Sequence, residues 1–185
     1  MADPVPKRMT VEEFIPWAMA RPETEHYELV AGEIVAMSPE RSVHARTKGR
    51  IFRRLSEAIE KAGLDCEAFI DGMAVQVDAD TLYEPDALVR CGDRLPDDAL
   101  VVTDPLIVVE VLSPSTAYRD VGDKLIDYFR IPSVRHYLIA NVKTRVVVHH
   151  ERDAAGAIAT RIIYDGRLRL DPPGIDLAGI FEEEP

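Results

Sequence analysis

The sequence predicts a mixed α/β (α+β) fold, in which a central β-sheet is flanked by helices. Helical patterns precede the strand-like segments and separate two groups of them, and the middle of the chain is rich in apolar β-branched runs. The chain has 185 residues, of which 46% are apolar, enough to bury a core of its own. We therefore expect a single domain over residues 1–185.

The N-terminal part predicts a short helix and a hairpin. Thr10 is followed by Glu13 three residues later, which is a capping box, and the helix should continue to about Ala20. The segments HYELV and EIVAM then flank Ala31-Gly32. Two strand-like segments separated by two such residues predict a hairpin with a tight turn.

A long helix is predicted next, capped by Ser42 and ended by Gly63. Its apolar stripe consists of Val43, Thr47, Ile51, Leu55, Ala58, Ile59 and Ala62. His44 and Lys48 extend this stripe toward the N-terminus of the helix, where they could face an active site.

The same helix concentrates positive charge. Residues 41–54 contain no acid and six basic residues: Arg41, Arg46, Lys48, Arg50, Arg53 and Arg54. Since the whole chain has a net charge of −11, the remainder carries about −17. Arg46, Arg50 and Arg53 project away from the apolar stripe and could follow the phosphates of a nucleic acid. Alternatively, they form a solvated face that offsets acidic neighbours.

The rest of the chain is predominantly strand-like. Strands are predicted at residues 66–78, 82–91 and 105–112, followed by a helix from Asp120 to about Arg130. The segments RHYLIANV and TRVVVHHER form a further hairpin, with another strand near IATRIIY. The tail RLRLDPPGIDLAGIF is expected to end in a short turn of helix.

Several classes of protein are disfavoured. A net charge of −11 argues against a protein that coats nucleic acid through bulk charge. Cys66 and Cys91 lie in no CxxC or Cys/His cluster, so we expect neither a disulfide framework nor a zinc site. No apolar run approaches the length of a membrane span, and no secretory signal is visible, which favours the cytoplasm. Nucleotide-cofactor and serine-hydrolase motifs do not appear in the sequence.

One carboxylate interrupts an otherwise apolar strand. Glu110 lies in PLIVVEVL and is expected to share a face of the strand with Leu106, Val108 and Leu112. An unpaired buried carboxylate is costly, so Glu110 must be paired, protonated or bound to a metal. Alternatively, it lies at an exposed strand end and pairs with a nearby arginine.

Two further residues could converge on the same place. Asp86 follows Pro85 at the start of a strand, and carboxylates at the ends of neighbouring strands suit Mg²⁺ or Mn²⁺. Lys124 lies at the margin of the apolar face of the helix after the Glu110 strand, near the end of that strand. The alternatives are a turn residue after proline for Asp86 and a surface position for Lys124.

These residues together resemble the PD-(D/E)XK nuclease superfamily, which has a restriction-endonuclease-like fold, and within it the bacterial Uma-type group. The resemblance covers nearly the whole chain. Its motifs are TVEEF, YELVAGEIVAMSP, His44, Pro85-Asp86, VVEVLSPST, and Asp120 to Lys124 followed by Tyr128. The lysine that the superfamily has two residues after the acid is Leu112 here, and Lys124 on the following helix would replace it.

The resemblance implies a metal-dependent DNA endonuclease, for which a homodimer is expected. Asp86, Glu110 and the carbonyl of Val111 would hold Mg²⁺ (or Mn²⁺), and Lys124 would orient the attacking water or stabilise charge on the phosphate. Glu28 would be an accessory acid, unless it is merely a polar position of an alternating strand, and His44 matches the family pattern. The alternatives are an inactive nuclease-fold binding or regulatory protein and a hydrolase of smaller phosphoesters.

Overall fold

The computed structural model describes residues 8–112, 118–164 and 166–182, with the backbone alone for residues 118–121. The three helices are α1 (Val11–Met19), α2 (Ser42–Ala62) and α3 (Tyr118–Arg130). The strands are β1 (Tyr27–Val30), β2 (Glu33–Ala36), β3 (Cys66–Ile70), β4 (Ala74–Gln76), β5 (Leu82–Tyr83), β6 (Ala87–Cys91), β7 (Val101–Val102), β8 (Ile107–Leu112), β9 (His136–Asn141), β10 (Val146–Arg152), β11 (Ile158–Ile163), β12 (Leu168–Leu170) and β13 (Ile175–Leu177).

The strands form one large sheet, one smaller sheet and a hairpin. The large sheet has the order β11-β10-β9-β8-β6-β3 and is antiparallel except for the parallel pair β8–β9. The five-stranded sheet has the order β2-β1-β5-β4-β7, and β12 pairs with β13. Parallel neighbours need a crossover connection, and α3 lies in the connection between β8 and β9. The predicted mixed α/β class is therefore confirmed.

Apolar side chains cover both faces of the large sheet. On one face, Ile51, Leu55 and Ile59 of α2 pack against alternate residues of β6, β8 and β9 and against the β12–β13 hairpin. On the other face, Tyr128 and Ile131 join Tyr83, Leu88, Val108, Tyr137 and Ile139. A third cluster fixes α1 against β1 and β5. Glu110 belongs to the second face, so it lies among residues that are otherwise apolar.

Local sequence signals explain the first elements. The capping box is present, because the Thr10 hydroxyl accepts a hydrogen bond from Glu13 N and the Glu13 carboxylate accepts one from Thr10 N. Ala31 and Gly32 both have positive φ, as a two-residue hairpin turn requires. Gly63 ends α2 in the left-handed conformation. None of the helices in the described ranges is long and apolar enough to cross a membrane.

Several boundaries differ from the predictions. Arg41, not Ser42, is the N-cap of α2, and it makes no side-chain capping bond. The predicted strand 66–78 is divided between two sheets as β3 and β4, with Asp71 and Gly72 at positive φ between them. The predicted strand 82–91 is divided into β5 and β6 around Pro85, which cannot donate to a sheet.

Expectations about four single residues are also corrected. Helix α3 begins at Tyr118, so Asp120 lies inside it and cannot be its N-cap; the Asp120 side chain lies outside the described part. Leu106 precedes β8 and packs on the α2 side of the sheet, opposite Glu110. Val43 is 44% exposed at the end of the α2 stripe, because the core contacts the helix from Thr47 onward. Ala62, at the other end, is also exposed.

The tail and the cysteines differ as well. The tail forms the β12–β13 hairpin followed by a turn around Ile180, because alternating Leu168, Leu170, Ile175 and Leu177 bury one face of a strand pair. Cys66 and Cys91 are directly opposite each other on β3 and β6 and form a disulfide. The expectation of no disulfide was wrong, because sequence spacing does not reveal cross-strand register.

Candidate active site

Glu110 is held by two donors from α3. It lies on β8 opposite Ile139 of β9, and its side chain is 14% exposed. Lys124 Nζ and the Tyr128 hydroxyl donate to the same oxygen, Glu110 Oε1, at 3.0 and 2.9 Å. The partner of this buried carboxylate is therefore a lysine with a tyrosine, not an arginine as the alternative interpretation supposed.

Lys124 joins two carboxylates from different sheets. Its Nζ donates to Glu28 Oε1 at 2.8 Å as well as to Glu110, and Glu28 Oε1 also accepts from the backbone N of Glu84. Burial by itself would lower the pKa of Lys124, but the charges of Glu110 and Glu28 outweigh this effect and raise it. Lys124 is therefore a charged ammonium group at this position.

Asp86 is fixed to the strand that carries Glu110. It lies between β5 and β6, directly after Pro85, and its Oδ2 accepts a hydrogen bond of 2.6 Å from Val111 N. The side chain of Asp86 is only 13% exposed. Since Val111 follows Glu110 in the chain, this bond holds Asp86 near enough for its charge to raise the pKa of Glu110.

The N-terminal half of α2 supplies a second group of side chains. His44 Nε2 is 2.6 Å from the carbonyl oxygen of Val111 and 3.4 Å from Asp86 Oδ2, and its Nδ1 is 2.5 Å from Glu40 Oε2. Burial disfavours the charged ring, but the bonds and charges of Asp86, Glu40 and Val111 O prevail and raise the pKa of His44 to about 9. Both ring nitrogens are therefore donors near neutral pH.

Lys48 lies one turn further along α2 and approaches the same carboxylate. Its Nζ is 2.7 Å from Asp71 Oδ2, 3.1 Å from Glu40 Oε2 and 3.8 Å from Asp86 Oδ1, and the side chain is 7% exposed. Burial lowers the pKa of Lys48, but Asp71, Glu40 and Asp86 together raise it above its ordinary value. Asp86 thus lies between a histidine and a lysine from one helix.

Glu110 lies close to two other carboxylates, those of Asp86 and Glu28. Burial is the main reason that the pKa of Glu110 is raised to about 7, and the nearby charges of Asp86 and Glu28 raise it further, against the opposing effect of Lys124. A bound divalent cation would stabilise the ionised form of a carboxylate that burial makes this difficult to ionise.

The donor atoms of the site fit a hard divalent cation. Within the described residues, Glu110 Oε2 and Asp86 Oδ1 accept no hydrogen bond, and Asp86 Oδ1 has only the more distant Lys48 ammonium group, at 3.8 Å. Carboxylate oxygens are the ligands that Mg²⁺ and Mn²⁺ prefer. Glu40, His44 and Asp86 also lie close enough to hold an ion, but the hydrogen bonds of His44 require both of its nitrogens to be protonated. At Asp86 Oδ1 and Glu110 Oε2 no hydrogen-bonded proton of this kind has to be displaced.

Sequence reasoning singled out Asp86, Glu110, Lys124, Glu28 and His44, and the structure brings all five together. The carbonyl of Val111 is also present, but it contacts His44, while the Val111 amide binds Asp86. The contributions of Glu40 and Asp71 were missed. Their partners His44 and Lys48 lie four residues apart on α2, which indicates one edge of the helix, whereas Glu40 precedes the helix.

Comparisons with known proteins place the chain in a family. Residues 11–178 match the model of the Uma2 family, described as "Putative restriction endonuclease". The uncharacterized protein slr1290 of Synechocystis sp. is 28% identical over 177 residues, covering 95% of this chain and 90% of that protein. A second Synechocystis protein, the uncharacterized sll1609, is 27% identical over 132 residues, covering 70% of this chain and 73% of that protein.

A solved structure shares the fold. The crystal structure of a "putative nuclease belonging to DUF820" from Anabaena variabilis superposes with a TM-score of 0.72 at 15% identity, over 89% of this chain and 90% of that chain. Together with the family match over most of the sequence, this likeness agrees with the restriction-endonuclease-like architecture expected from the motifs. The chain belongs to the Uma2 family of restriction-endonuclease-like proteins.

Proposed function

We propose that the protein is a Mg²⁺- or Mn²⁺-dependent endonuclease that hydrolyses phosphodiester bonds in DNA. The observation that carries this proposal is the convergence of two buried carboxylates and an ammonium group from three separate segments. Glu110 accepts from Lys124, and Asp86 is bonded to the amide of the residue after Glu110. The family description as a restriction endonuclease supports DNA as the substrate.

Asp86 and Glu110 would hold the metal through Asp86 Oδ1 and Glu110 Oε2. A bound divalent ion would polarise a phosphate oxygen and make a water molecule more acidic. The Val111 amide orients Asp86, and Tyr128 with Lys124 orients Glu110, so both carboxylates are held before a substrate arrives. Val111 O accepts from His44, and its second lone pair would be available to the ion.

Lys124 would act on the reacting water or on the phosphate. Its ammonium group has three donors, and two of them are directed at Glu28 and Glu110. The third donor is then available to orient the water or to stabilise negative charge on the phosphate. Glu28 keeps the ammonium in place from the opposite side, which makes Glu28 a positioning residue.

His44 and the N-terminal half of α2 would face the substrate. A protonated His44 next to Asp86 can donate a hydrogen bond to a phosphate or leaving oxygen when the substrate displaces Glu40. Arg41 and Arg46 are exposed on the same part of α2. They are the basic residues that we assign to phosphate contacts outside the reacting centre.

Cleavage of supercoiled plasmid tests the proposal directly. The wild-type chain should nick the plasmid with Mg²⁺ or Mn²⁺ and not with EDTA, and Asp86→Asn and Glu110→Gln should each lose at least a hundredfold in rate. The matched controls are Asp123→Asn and Glu33→Gln, which change exposed carboxylates and should retain the activity. Calorimetric titration with Mn²⁺ should give one binding event that both site variants lose.

The outcomes separate the competing functions. Nicking that persists in both site variants would overturn the assignment. Tight DNA binding without Mn²⁺ affinity or turnover would favour an inactive nuclease-fold binding protein. Faster hydrolysis of nucleotides than of duplex DNA would favour a hydrolase of smaller phosphoesters.

A further inference from the structure

The outer edge of β11 is a sheet edge without a visible partner. β11 is the terminal strand of the large sheet, and among the described residues no strand pairs with its outer side. Of its six residues, IATRII, only Arg161 is charged and none is proline. Natural proteins protect such edges, because unpaired backbone groups on an apolar strand recruit other strands.

Large apolar side chains lie exposed along this edge. Ile158 is 40% exposed, Ile162 is 56% exposed, and Tyr164, just after the strand, is 76% exposed. Ile158 and Ile162 lie on one face of the sheet with Thr160, since alternate residues share a face. The opposite edge of the sheet is different, because all five residues of β3 are half-buried and Leu95 N donates to Glu67 Oε2 there.

We infer that β11 pairs with β11 of a second copy of this chain, in antiparallel orientation about a two-fold axis at Thr160. This register places Ile158 of one copy opposite Ile162 of the other, twice, on either side of a Thr160–Thr160 pair. The two apolar pairs and the central threonine pair then cover the exposed face of both edges. The large sheets become one continuous twelve-stranded sheet.

Charge on the other face of the strand supports the same register. Arg161 Nη1 pairs with Glu151 Oε2 of β10 at 2.6 Å, and the residue directly opposite Glu151 on β11 is Ala159. In the proposed register, Arg161 of the second copy lies opposite Ala159. The small alanine leaves room for Glu151 to meet that arginine as well. Each glutamate then contacts two arginines, and the residue directly opposite each arginine is an alanine and not a like charge.

The interface leaves both candidate active sites uncovered. β11 is separated from β8, which carries Glu110, by the two strands β10 and β9. The association therefore does not depend on the proposed nuclease activity, and either can fail without the other.

Charge-pair variants of the full chain test both the partner and the register. In sedimentation equilibrium, the wild type should be a dimer, and Ile158→Lys/Ile162→Lys should raise the dissociation constant at least a hundredfold, because lysines face each other at both apolar pairs. Ile158→Lys/Ile162→Glu should recover at least tenfold of that loss, since each lysine then faces a glutamate. Ile126→Lys, at a residue of α3 that is 66% exposed, is the matched control and should stay dimeric.

A covalent test checks the position of the axis. Thr160→Cys should form an intermolecular disulfide in mild oxidant, because a residue on the two-fold axis faces its own copy within reach of a disulfide. Ile126→Cys should not. Folding of each variant is checked by circular dichroism, and nicking per protomer should not change. A monomeric wild type at every concentration would overturn the inference, as would a dimer that the double-lysine variant leaves intact or equal weakening by both double variants.

Discussion

The hydroxyl of Tyr128 donates to Glu110 Oε1 at 2.9 Å, and the Tyr128 ring is fully buried between Tyr83 and Tyr137. This tyrosine fixes one oxygen of the carboxylate and leaves Oε2 for another ligand. Its position on α3, one turn after Lys124, means that the same helix supplies both donors to Glu110. The orientation of Glu110 is therefore set by the crossover helix and not by its own strand.

Tyr128→Phe should weaken the site without destroying it. Glu110 keeps Lys124 but loses a neutral donor, so we expect Mn²⁺ affinity and nicking rate to fall about tenfold. The free energy of unfolding should fall by about 1 kcal/mol, since one buried hydrogen bond is lost. Calorimetric titration and chemical denaturation measure these effects. Tyr164→Phe, at an exposed tyrosine, should change neither quantity; equal effects in both variants would contradict the role assigned to Tyr128.

Lys124→Met should destabilise the metal-free protein and increase its response to metal. The variant leaves Glu110 and Glu28 without their common cation, which should lower the free energy of unfolding by roughly 3 kcal/mol. Mn²⁺ would replace part of the missing charge, so the rise in Tm on adding Mn²⁺ should be larger in this variant than in the wild type. Nicking should be lost.

Lys143→Met, which removes an exposed lysine, is the control for both measurements. The arrangement proposed for Lys124 would be wrong if the two lysine variants responded equally to Mn²⁺, or if Lys124→Met retained full nicking activity.

Lys48→Met should have opposite effects on metal affinity and on the rate of DNA cleavage. Lys48 Nζ lies 3.8 Å from Asp86 Oδ1, so its removal takes a competing positive charge away from a proposed metal ligand. Mn²⁺ should then bind severalfold more tightly, while DNA cleavage falls about tenfold because a positive charge beside the proposed metal ligand Asp86 is lost. Lys61→Met, near the exposed end of the same helix, should shift neither. Parallel loss of binding and cleavage in Lys48→Met would indicate misplacement of Asp86 instead.

Stability at acidic pH should depend on His149. Burial, with the nearby charges of His136, Arg161 and His150, lowers the pKa of His149 to about 4, and its Nε2 is 2.9 Å from His136 Nδ1. In the unfolded chain the ring titrates near pH 6.5. Its contribution to stability is therefore present above about pH 6.5 and is lost as the pH falls toward 4, because the unfolded state binds the extra proton first.

The expected loss is roughly 3 kcal/mol between those pH values, measured by urea denaturation as a function of pH. His149→Gln should flatten the curve in this interval relative to the wild type. His26→Gln, at a histidine with a side chain that is 51% exposed, is the control and should retain the fall in stability seen in the wild type. A wild-type curve that does not differ from that of His149→Gln would refute the linkage.

Elements with strong local signals could be predicted from the sequence. The Thr10–Glu13 capping box, the Ala31-Gly32 turn and the Gly63 stop each depend on residues close together in the chain. Features that depend on pairing between strands far apart in the chain could not be predicted from the sequence. The division of residues 66–78 between two sheets and the Cys66–Cys91 disulfide depend on which strands become neighbours.

In the candidate site, too, residues marked by a local pattern could be predicted, and contacts between distant segments could not. Asp86 and Glu110 were recognisable because each places a charge beside an apolar run, and Lys124 because it lies at the margin of an amphipathic helix. Sequence spacing could not indicate that Lys124 would bridge to Glu28, which belongs to another sheet. Nor could it indicate that Asp86 would bind the Val111 amide, since that contact depends on tertiary structure.

The single parallel pair in the large sheet, β8–β9, explains how a lysine can be supplied by a helix. The chain must return from the end of β8 to the start of β9, and α3, which lies on that path, crosses the face on which Glu110 lies. Lys124, on that crossover, donates to Glu110 on the same face of the sheet that carries Leu112, two residues further along β8. A lysine on the crossover helix can therefore contact the strand carboxylate when the strand motif itself has none. A homologue without a lysine in the strand motif should therefore be examined for a lysine in the crossover helix before it is classed as catalytically inactive.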